Sequence, residues 1–247
     1  MSWSPNPRAW NAGTWRGASR FALVLAASGA VAVASPAGAG AQTRVIDRGT
    51  FAVTRDGRPA GREQFEIRHE PGIEGTVIRA RGTVSSGDAE LAPSLTTTGA
   101  GVPLSYQVDV QEDGALTHRL TGTAGRGRLT LRASGSAGVA AREYLAGDAA
   151  VIVDREVLHH HWFLVRSPDA PPAQVIVPRS GVRATVRVRE IGPEPVRIGG
   201  VTIPATRLVL EGFPDGPRTV WIDGERRLLR VVIPGSGVEA VRLAPPA

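Results

Sequence analysis

The chain has 247 residues, of which 42% are hydrophobic, enough for a hydrophobic core in one large domain or two small ones. It contains no cysteine, which excludes disulfides, cysteine zinc ligands, thiol nucleophiles and a lipidated N-terminal cysteine. All 29 basic residues are arginine, so no lysine is available for a phosphate-binding loop or a Schiff base.

The first 41 residues have the features of a cleaved export signal. Three arginines precede an apolar run at residues 21–34, which has the length of a signal core, whereas a spanning helix needs about 20 residues. Ala-Gly-Ala at residues 39–41 is a small-x-small cleavage pattern. We therefore expect an exported mature chain, periplasmic or extracellular, that begins at Gln42 and has no membrane span. An uncleaved membrane anchor is the alternative.

Loss of the signal changes the charge of the chain. Three arginines leave with it, and the mature chain keeps 26 arginines against 23 acidic residues, a net charge of +3. Only two tryptophans remain for stacking on bases, Trp162 and Trp221. Such a small net charge and so few aromatic residues argue against nucleic acid as a partner.

Alternating apolar and polar residues separated by Gly-, Pro- and Asp-rich turns predict an antiparallel β domain. The Asp113-Gly114 pair predicts a tight hairpin, because such pairs accept the left-handed backbone of a type I′ turn. Residues 62–70 place Glu63, Phe65 and Ile67 on one face of a strand. The predicted strands are residues 49–54, 62–70, 76–84, 104–110, 116–123, 128–134, 182–189, 201–210, 218–223, 228–233 and 237–243.

One segment, residues 154–166, has apolar residues at helical spacings of one, three and four. Asp154 suits the N-cap of a helix, and Arg166 suits its negative C-terminal end. A strand is the alternative, since Trp, Phe and Val also favour sheets.

These elements predict one β-rich domain over residues 42–247 with a helical insertion at about 154–166. A sheet of ten or more twisted strands tends to curl or close. The expected fold is therefore mainly β: a single curved antiparallel sheet, a half-barrel or open barrel, with one short helix on its concave face. An apolar cleft between helix and sheet would be the natural ligand site.

Three stretches carry a resemblance to known proteins: residues 49–62, the segment containing His160, His161 and Trp162, and residues 201–207 with 220–223 and 228–230. Together they resemble uncharacterised exported bacterial envelope proteins of DUF type, similar in fold to the LolA/LolB lipoprotein carriers. The resemblance spans most of residues 44–243. It implies a curved antiparallel sheet with helices on its concave face, an envelope location and binding of an apolar ligand, but no catalytic residues. LolB-type members are anchored through a cysteine that this chain lacks, which implies a soluble form.

The triplet His159-His160-His161 suggests a metal site. Successive residues on a helix diverge by about 100°, so all three cannot meet one ion there. On a strand, His159 and His161 would share a face and could be joined by Asp154 or Glu156. Hydrogen-bonded histidines without a metal are the alternative.

The residues that we expect to line the cleft are Leu158, His161, Trp162, Val165 and Trp221, with ordinary core packing as the alternative for the tryptophans. The sequence has neither Gly-x-Ser-x-Gly nor His-Glu-x-x-His, and we predict no catalytic residue. The expected function is an exported, non-catalytic module that binds a lipid or other apolar small molecule, or docks an envelope partner, without a cofactor. Two alternatives are a metal-dependent enzyme that uses His159 and His161 and a structural envelope-assembly protein.

Overall fold

The structure is a computed structural model that describes residues 43–136 and 138–247. The expected export signal lies outside the described residues. The described part of the chain is mainly β-strand with one short internal helical segment. Among the described helices, none is long and apolar enough to span a membrane.

The described residues form seventeen strands. They are β1 (Arg44–Arg55), β2 (Arg58–Gly72), β3 (Gly75–Ser86), β4 (Ala89–Thr98), β5 (Pro103–Glu112), β6 (Ala115–Gly125), β7 (Arg128–Gly135), β8 (Gly138–Leu145), β9 (Ala150–Ile152), β10 (Ala173–Val177), β11 (Val182–Pro193), β12 (Val196–Ile198), β13 (Val201–Ile203), β14 (Thr206–Glu211), β15 (Arg218–Ile222), β16 (Leu228–Ile233) and β17 (Val238–Arg242). A short 3₁₀ turn, Pro234–Ser236, joins β16 to β17.

Fifteen of these strands belong to one sheet, in the order β8-β7-β6-β5-β4-β3-β2-β1-β17-β16-β15-β14-β11-β10-β9. The neighbours pair antiparallel except β9 and β10, which are parallel. The sheet is open, with β8 and β9 at its edges. These two edge strands are consecutive in the chain and are joined by only four residues, 146–149. Strands β12 and β13 form a separate hairpin between β11 and β14.

The predicted Asp-Gly hairpin is confirmed. Asp113 and Gly114 have φ values of 50° and 75°, the left-handed backbone that a type I′ turn requires at both central positions. Asp56 and Gly57 repeat this geometry between β1 and β2, with φ of 50° and 74°. Such turns match the right-handed twist of paired strands, and they fix the register of the long meander from β1 to β8.

Five strands, β4, β8, β9, β10 and β12, are absent from the sequence prediction. The strand predicted over residues 201–210 is interrupted at Pro204, so that β13 and β14 belong to different sheets. Proline cannot donate to a sheet ladder, which explains the break.

One large core collects inward-facing side chains from strands of both halves of the chain, including Phe51, Ile78, Leu129 and Leu208. A smaller core lies on the other side of β15, where Trp221 packs with residues of the β12–β13 hairpin. The flanking Val220 and Ile222 belong to the large core. The alternation along β15 therefore buries both faces of this strand.

The predicted helix is present but shorter than predicted. A 3₁₀ turn, Leu158–His161, runs directly into α1 (Trp162–Val165), and we call residues 158–165 the buried helical segment. Asp154 is not its N-cap: that position is Val157, which makes no side-chain capping bond. All eight residues of the segment are buried, with 0 to 5% of their surface exposed. Helical geometry here excludes the alternative of a strand.

The two ends of the buried helical segment face opposite ends of the neighbouring strands. Beyond its C-terminal end, the guanidinium of Arg166 donates to the carbonyl oxygens of Gly99 and Ala100 in the β4–β5 turn. Leu158, at its start, lies near the opposite end, where the β3–β4 and β5–β6 connections are found. The C-terminal end of the segment is therefore held by arginine donors on turn carbonyls in addition to its packing in the large core.

Candidate functional site

A cavity of about 330 Å³ lies beside the start of the buried helical segment. Its walls come from the ends of hairpins at one end of the sheet, because alternate turns of an antiparallel meander lie on the same side. The apolar part of the wall includes Val84, Leu91, Val110, Leu158, Ile233 and Val238. The charged part consists of Arg55, Arg155, Arg179, Arg218, Glu112, Asp154, Glu156 and Asp215.

Glu63 holds the start of the helical segment in place. Its carboxylate accepts the backbone N–H groups of Leu158 at 2.6 Å and His159 at 2.7 Å. The same carboxylate accepts Nδ1–H of His159 at 2.6 Å. Glu63 is fully buried on β2. It therefore supplies from a distant strand the helix cap that Val157 cannot provide.

The three histidines are buried and hydrogen-bonded rather than exposed. His160 Nδ1 accepts the backbone N–H of Asp154 at 3.2 Å, so the proton of its neutral ring is on Nε2. His161 Nδ1 donates to the Leu158 carbonyl at 2.8 Å, and its Nε2 faces Arg218 Nη1 at 3.0 Å. Since an arginine can only donate, that Nε2 is an acceptor and the ring of His161 is neutral.

The environment of these rings keeps them neutral. Burial, with the nearby Arg218 as the next cause, lowers the pKa of His161 to about 3. Burial lowers the pKa of His160 well below its usual value, and the neighbouring His159 and His161 act in the same direction. His161 is bonded through both ring nitrogens and His160 through Nδ1, and these bonds fix the tautomers and help to hold the helical segment in position.

The residues of the expected metal site have other partners. Asp154 Oδ2 accepts from Tyr106 Oη at 2.5 Å and from Arg179 Nε at 2.8 Å. Glu156 accepts from Arg179 Nη1 at 3.2 Å. Over residues 43–136 and 138–247, no three His, Asp or Glu side chains are placed to hold a metal ion. The observed arrangement links the loop before the helical segment to β5 and to the β10–β11 turn.

Burial strengthens this link. Asp154 and Tyr106 are almost completely buried. The pKa of Tyr106 is well above its usual value because of burial, and the neighbouring Asp154 carboxylate acts in the same direction. The phenol therefore keeps its proton and donates it to Asp154.

Two of the five residues predicted to line a ligand cleft, Leu158 and His161, do line the cavity. Trp162 and Val165 lie farther along the helical segment and belong to the large core. Trp162 contacts Phe163 edge-on, with ring centroids 5.2 Å apart. Trp162 and Val165 therefore pack in the core and do not line the cavity.

Trp221, the fifth predicted ligand residue, lies in the smaller core. Its Nε1 donates to Glu194 at 3.1 Å, and the guanidinium of Arg230 lies 4.5 Å from the ring centroid. The indole N–H and the ring face of Trp221 therefore both have partners within the protein. The structure thus does not bring Trp221 together with the other four residues.

The sequence analysis missed Glu63, Arg179 and Arg218 as members of this site. Glu63 had a signal, because it shares a strand face with Phe65 and Ile67, where a carboxylate must find partners when buried. The two arginines had none, since the chain places arginines on many strand faces.

Comparison with known proteins found no matching family, no matching curated protein and no matching solved structure. A functional interpretation therefore rests on the chemistry of the cavity and of the residues around it.

Proposed function

We propose that the protein is an exported, non-catalytic module whose cavity binds a small lipid or another ligand with an apolar part. The observation that carries the proposal is the cavity of about 330 Å³ with an apolar wall that includes Leu91 and Val110. This volume lies at the lower end of the range of small-molecule sites, about 300–1,000 Å³. Its polar side chains would orient a ligand, while its apolar wall would provide the affinity.

We infer that the sheet curls around the helical segment, which would give the concave surface of a carrier fold. If the sheet were flat, its fifteen strands would place β8 and β9 about 67 Å apart. The chain from Leu145 to Ala150 can reach no more than about 19 Å. In addition, a helix on a flat sheet keeps one side in water, whereas all eight residues of this segment are buried.

The charged groups of the cavity support a binding role rather than a catalytic one. Asp154 is bound by Tyr106 and Arg179, and Asp215 by Arg218. His161 uses both ring nitrogens in hydrogen bonds. A general base needs a free lone pair within reach of the substrate, and His161 offers none, while Asp154 is held by two buried donors.

The export signal and the resemblance to LolA/LolB-like envelope proteins lead us to propose a periplasmic or extracellular location. The mainly β architecture with a short helical segment is the arrangement that such a fold would require. The alternative of a structural envelope-assembly protein predicts that the cavity takes up no ligand. Binding measurements therefore separate the two functions.

Decanol, an apolar probe with a small head group, tests the proposal by isothermal titration calorimetry of the mature chain. Ala89 lines the cavity and is the first residue of β4, whereas the exposed Ala115 holds the same position in β6. We expect saturable binding of decanol, loss of binding in Ala89→Phe because the ring fills the cavity, and unchanged binding in Ala115→Phe.

Circular dichroism and the melting temperature establish that both variants fold. Should Ala89→Phe not fold, Ala60→Phe places a ring in the same cavity from β2. The proposal is overturned if the wild-type chain binds neither decanol nor any other ten-carbon amphiphile. It is also overturned if binding survives in a folded cavity-filling variant.

A further inference from the structure

We propose that the ligand of this cavity carries an anionic head group, a carboxylate or a phosphate, which hydrogen-bonds to Arg218 and Arg179. This inference rests on the proposed function, because it assigns a chemical class to the ligand of the same cavity. It follows from an excess of buried hydrogen-bond donors over free acceptors in the charged wall.

Arg218 is buried at the cavity with only 6% of its surface exposed. Its Nη1 donates to His161 and its Nη2 to Asp215 at 3.1 Å, while its guanidinium carbon lies 3.7 Å from the centroid of the Phe213 ring. These contacts fix the plane of the guanidinium. Its Nε is buried and meets no acceptor among the residues that the structure describes.

The charge of Arg218 is incompletely compensated. Of its two polar partners, His161 is neutral and Asp215 is about half exposed. Burial lowers the pKa of Arg218 in spite of the nearby Asp215. A buried guanidinium with one partly solvated counter-ion is stabilised by a further anion.

Arg179 presents the same feature beside the loop that precedes the helical segment. Its Nε donates to Asp154 and its Nη1 to Glu156. Its Nη2 is buried and has no acceptor in the described part of the chain. A buried donor without a partner is costly, so two such donors, on arginines that both line one cavity, favour a ligand that brings acceptor oxygens.

The carboxylates of the wall leave little room for a cationic ligand. Asp154 accepts through both oxygens, from Arg155 N–H on one and from Tyr106 and Arg179 on the other. Glu112 lies exposed at the end of β5. Arg155, also exposed at the cavity, adds a positive charge. The wall therefore offers donors in its depth and acceptors only at its rim.

Four amphiphiles with the same ten-carbon tail test the inference by calorimetry: decanol, decanoate, decyl phosphate and decyltrimethylammonium. We expect an anionic ligand to bind about tenfold or more tightly than decanol, as charge-assisted hydrogen bonds would give. We expect decyltrimethylammonium to bind more weakly than decanol. Whichever of decanoate and decyl phosphate binds more tightly identifies the head group.

Arg218→Gln should reduce the preference for the anion over decanol to less than about threefold, because the affinity for the anion falls more than the affinity for decanol. Arg132→Gln, at an exposed position on β7 away from the cavity, should keep the full preference. If Arg218→Gln does not fold, the ratio of the wild-type affinities for the anion and for decanol decides whether the head-group inference holds. Decanol binding as tightly as both anions would overturn the head-group inference but not the proposed function, whereas failure of all four amphiphiles would overturn both.

Discussion

A single carboxylate positions the helical segment in this protein. Glu63 accepts three hydrogen bonds from Leu158 and His159, and it is fully buried. A buried acceptor of this kind is strongly stabilising only as long as all its donors remain in place. The same bonds set the position of Leu158 and His161, which line the cavity.

Glu63→Ala should therefore lower the free energy of unfolding by about 3 kcal/mol or more, because three buried donors lose their acceptor. Glu66→Ala, on the opposite face of the same strand, should change it by no more than about 0.5 kcal/mol. Urea denaturation followed by circular dichroism measures both. Equal effects of the two variants would contradict the role assigned to Glu63.

The depressed pKa of His161 makes stability depend on pH. Its pKa is about 3 in the folded chain, against 6.5 for an ordinary histidine. Between these values the unfolded chain binds a proton that the folded chain does not, so the free energy of unfolding falls as pH falls from about 6.5 toward 3.

His161→Gln should flatten this dependence by up to about 1.4 kcal/mol per pH unit, since one site no longer takes up a proton on unfolding. His118→Gln, at a half-buried position on β6, serves as the control and should not flatten it to that extent. Urea denaturation between about pH 6 and pH 4 gives the slopes. A slope in His161→Gln equal to that of the wild type would show that His161 is not the group responsible.

The elements of the sheet were largely predictable, because alternation and Asp-Gly turns are local signals. Strand β4 was missed because Pro93 lies in its middle, and a proline argues against an interior strand. The structure accommodates it by a gap in the ladder to β3, where pairing passes from Arg81–Ser94 to Val84–Leu91. The helix start was misplaced because its cap, Glu63, comes from a strand 95 residues away. Sequence periodicity contains no such information.

The helical segment also depends on a close approach to β3. A Cβ on Gly82 would lie 2.7 Å from the Gln64 carbonyl oxygen and 3.0 Å from Cε1 of His159. Both are too close, so a side chain at this position would have to displace the β2 backbone or the His159 ring.

Gly82→Ala should accordingly cost about 1–3 kcal/mol of stability. Gly125→Ala is the matched control: it ends β6, where a Cβ would meet no described atom within 4 Å. The control should be neutral or slightly stabilising, through loss of chain entropy in the unfolded state. Denaturation curves that show the same stability for both variants would refute the close approach.

At the scale of the whole molecule, the proposed curling of the sheet brings its two ends together. A Cβ on Gly181, just before β11, would collide with the guanidinium of Arg142 on β8. In a flat sheet these strands would be about 60 Å apart.

The chain lacks cysteine, so Arg142→Cys with Arg183→Cys gives two unique sites for spin labels. We expect pulsed electron paramagnetic resonance to give a distance below about 30 Å, far less than a flat sheet allows. The pair Arg142→Cys and Arg132→Cys, on adjacent strands, provides a short reference distance. A long distance for the first pair would contradict the curled sheet.

The pairing of β1 with β17 has a consequence for the order of events during synthesis. Residues 51–55 pair with residues 238–242. Strand β1, one of the first strands made, therefore cannot complete its pairing until β17, one of the last, has been made. Contacts between such distant parts of a chain slow folding. Until residues 238–242 have been made, β1 and β16 each lack one neighbouring strand. For the export that we propose, this late completion of the sheet would favour uptake by a translocation channel that accepts extended chains.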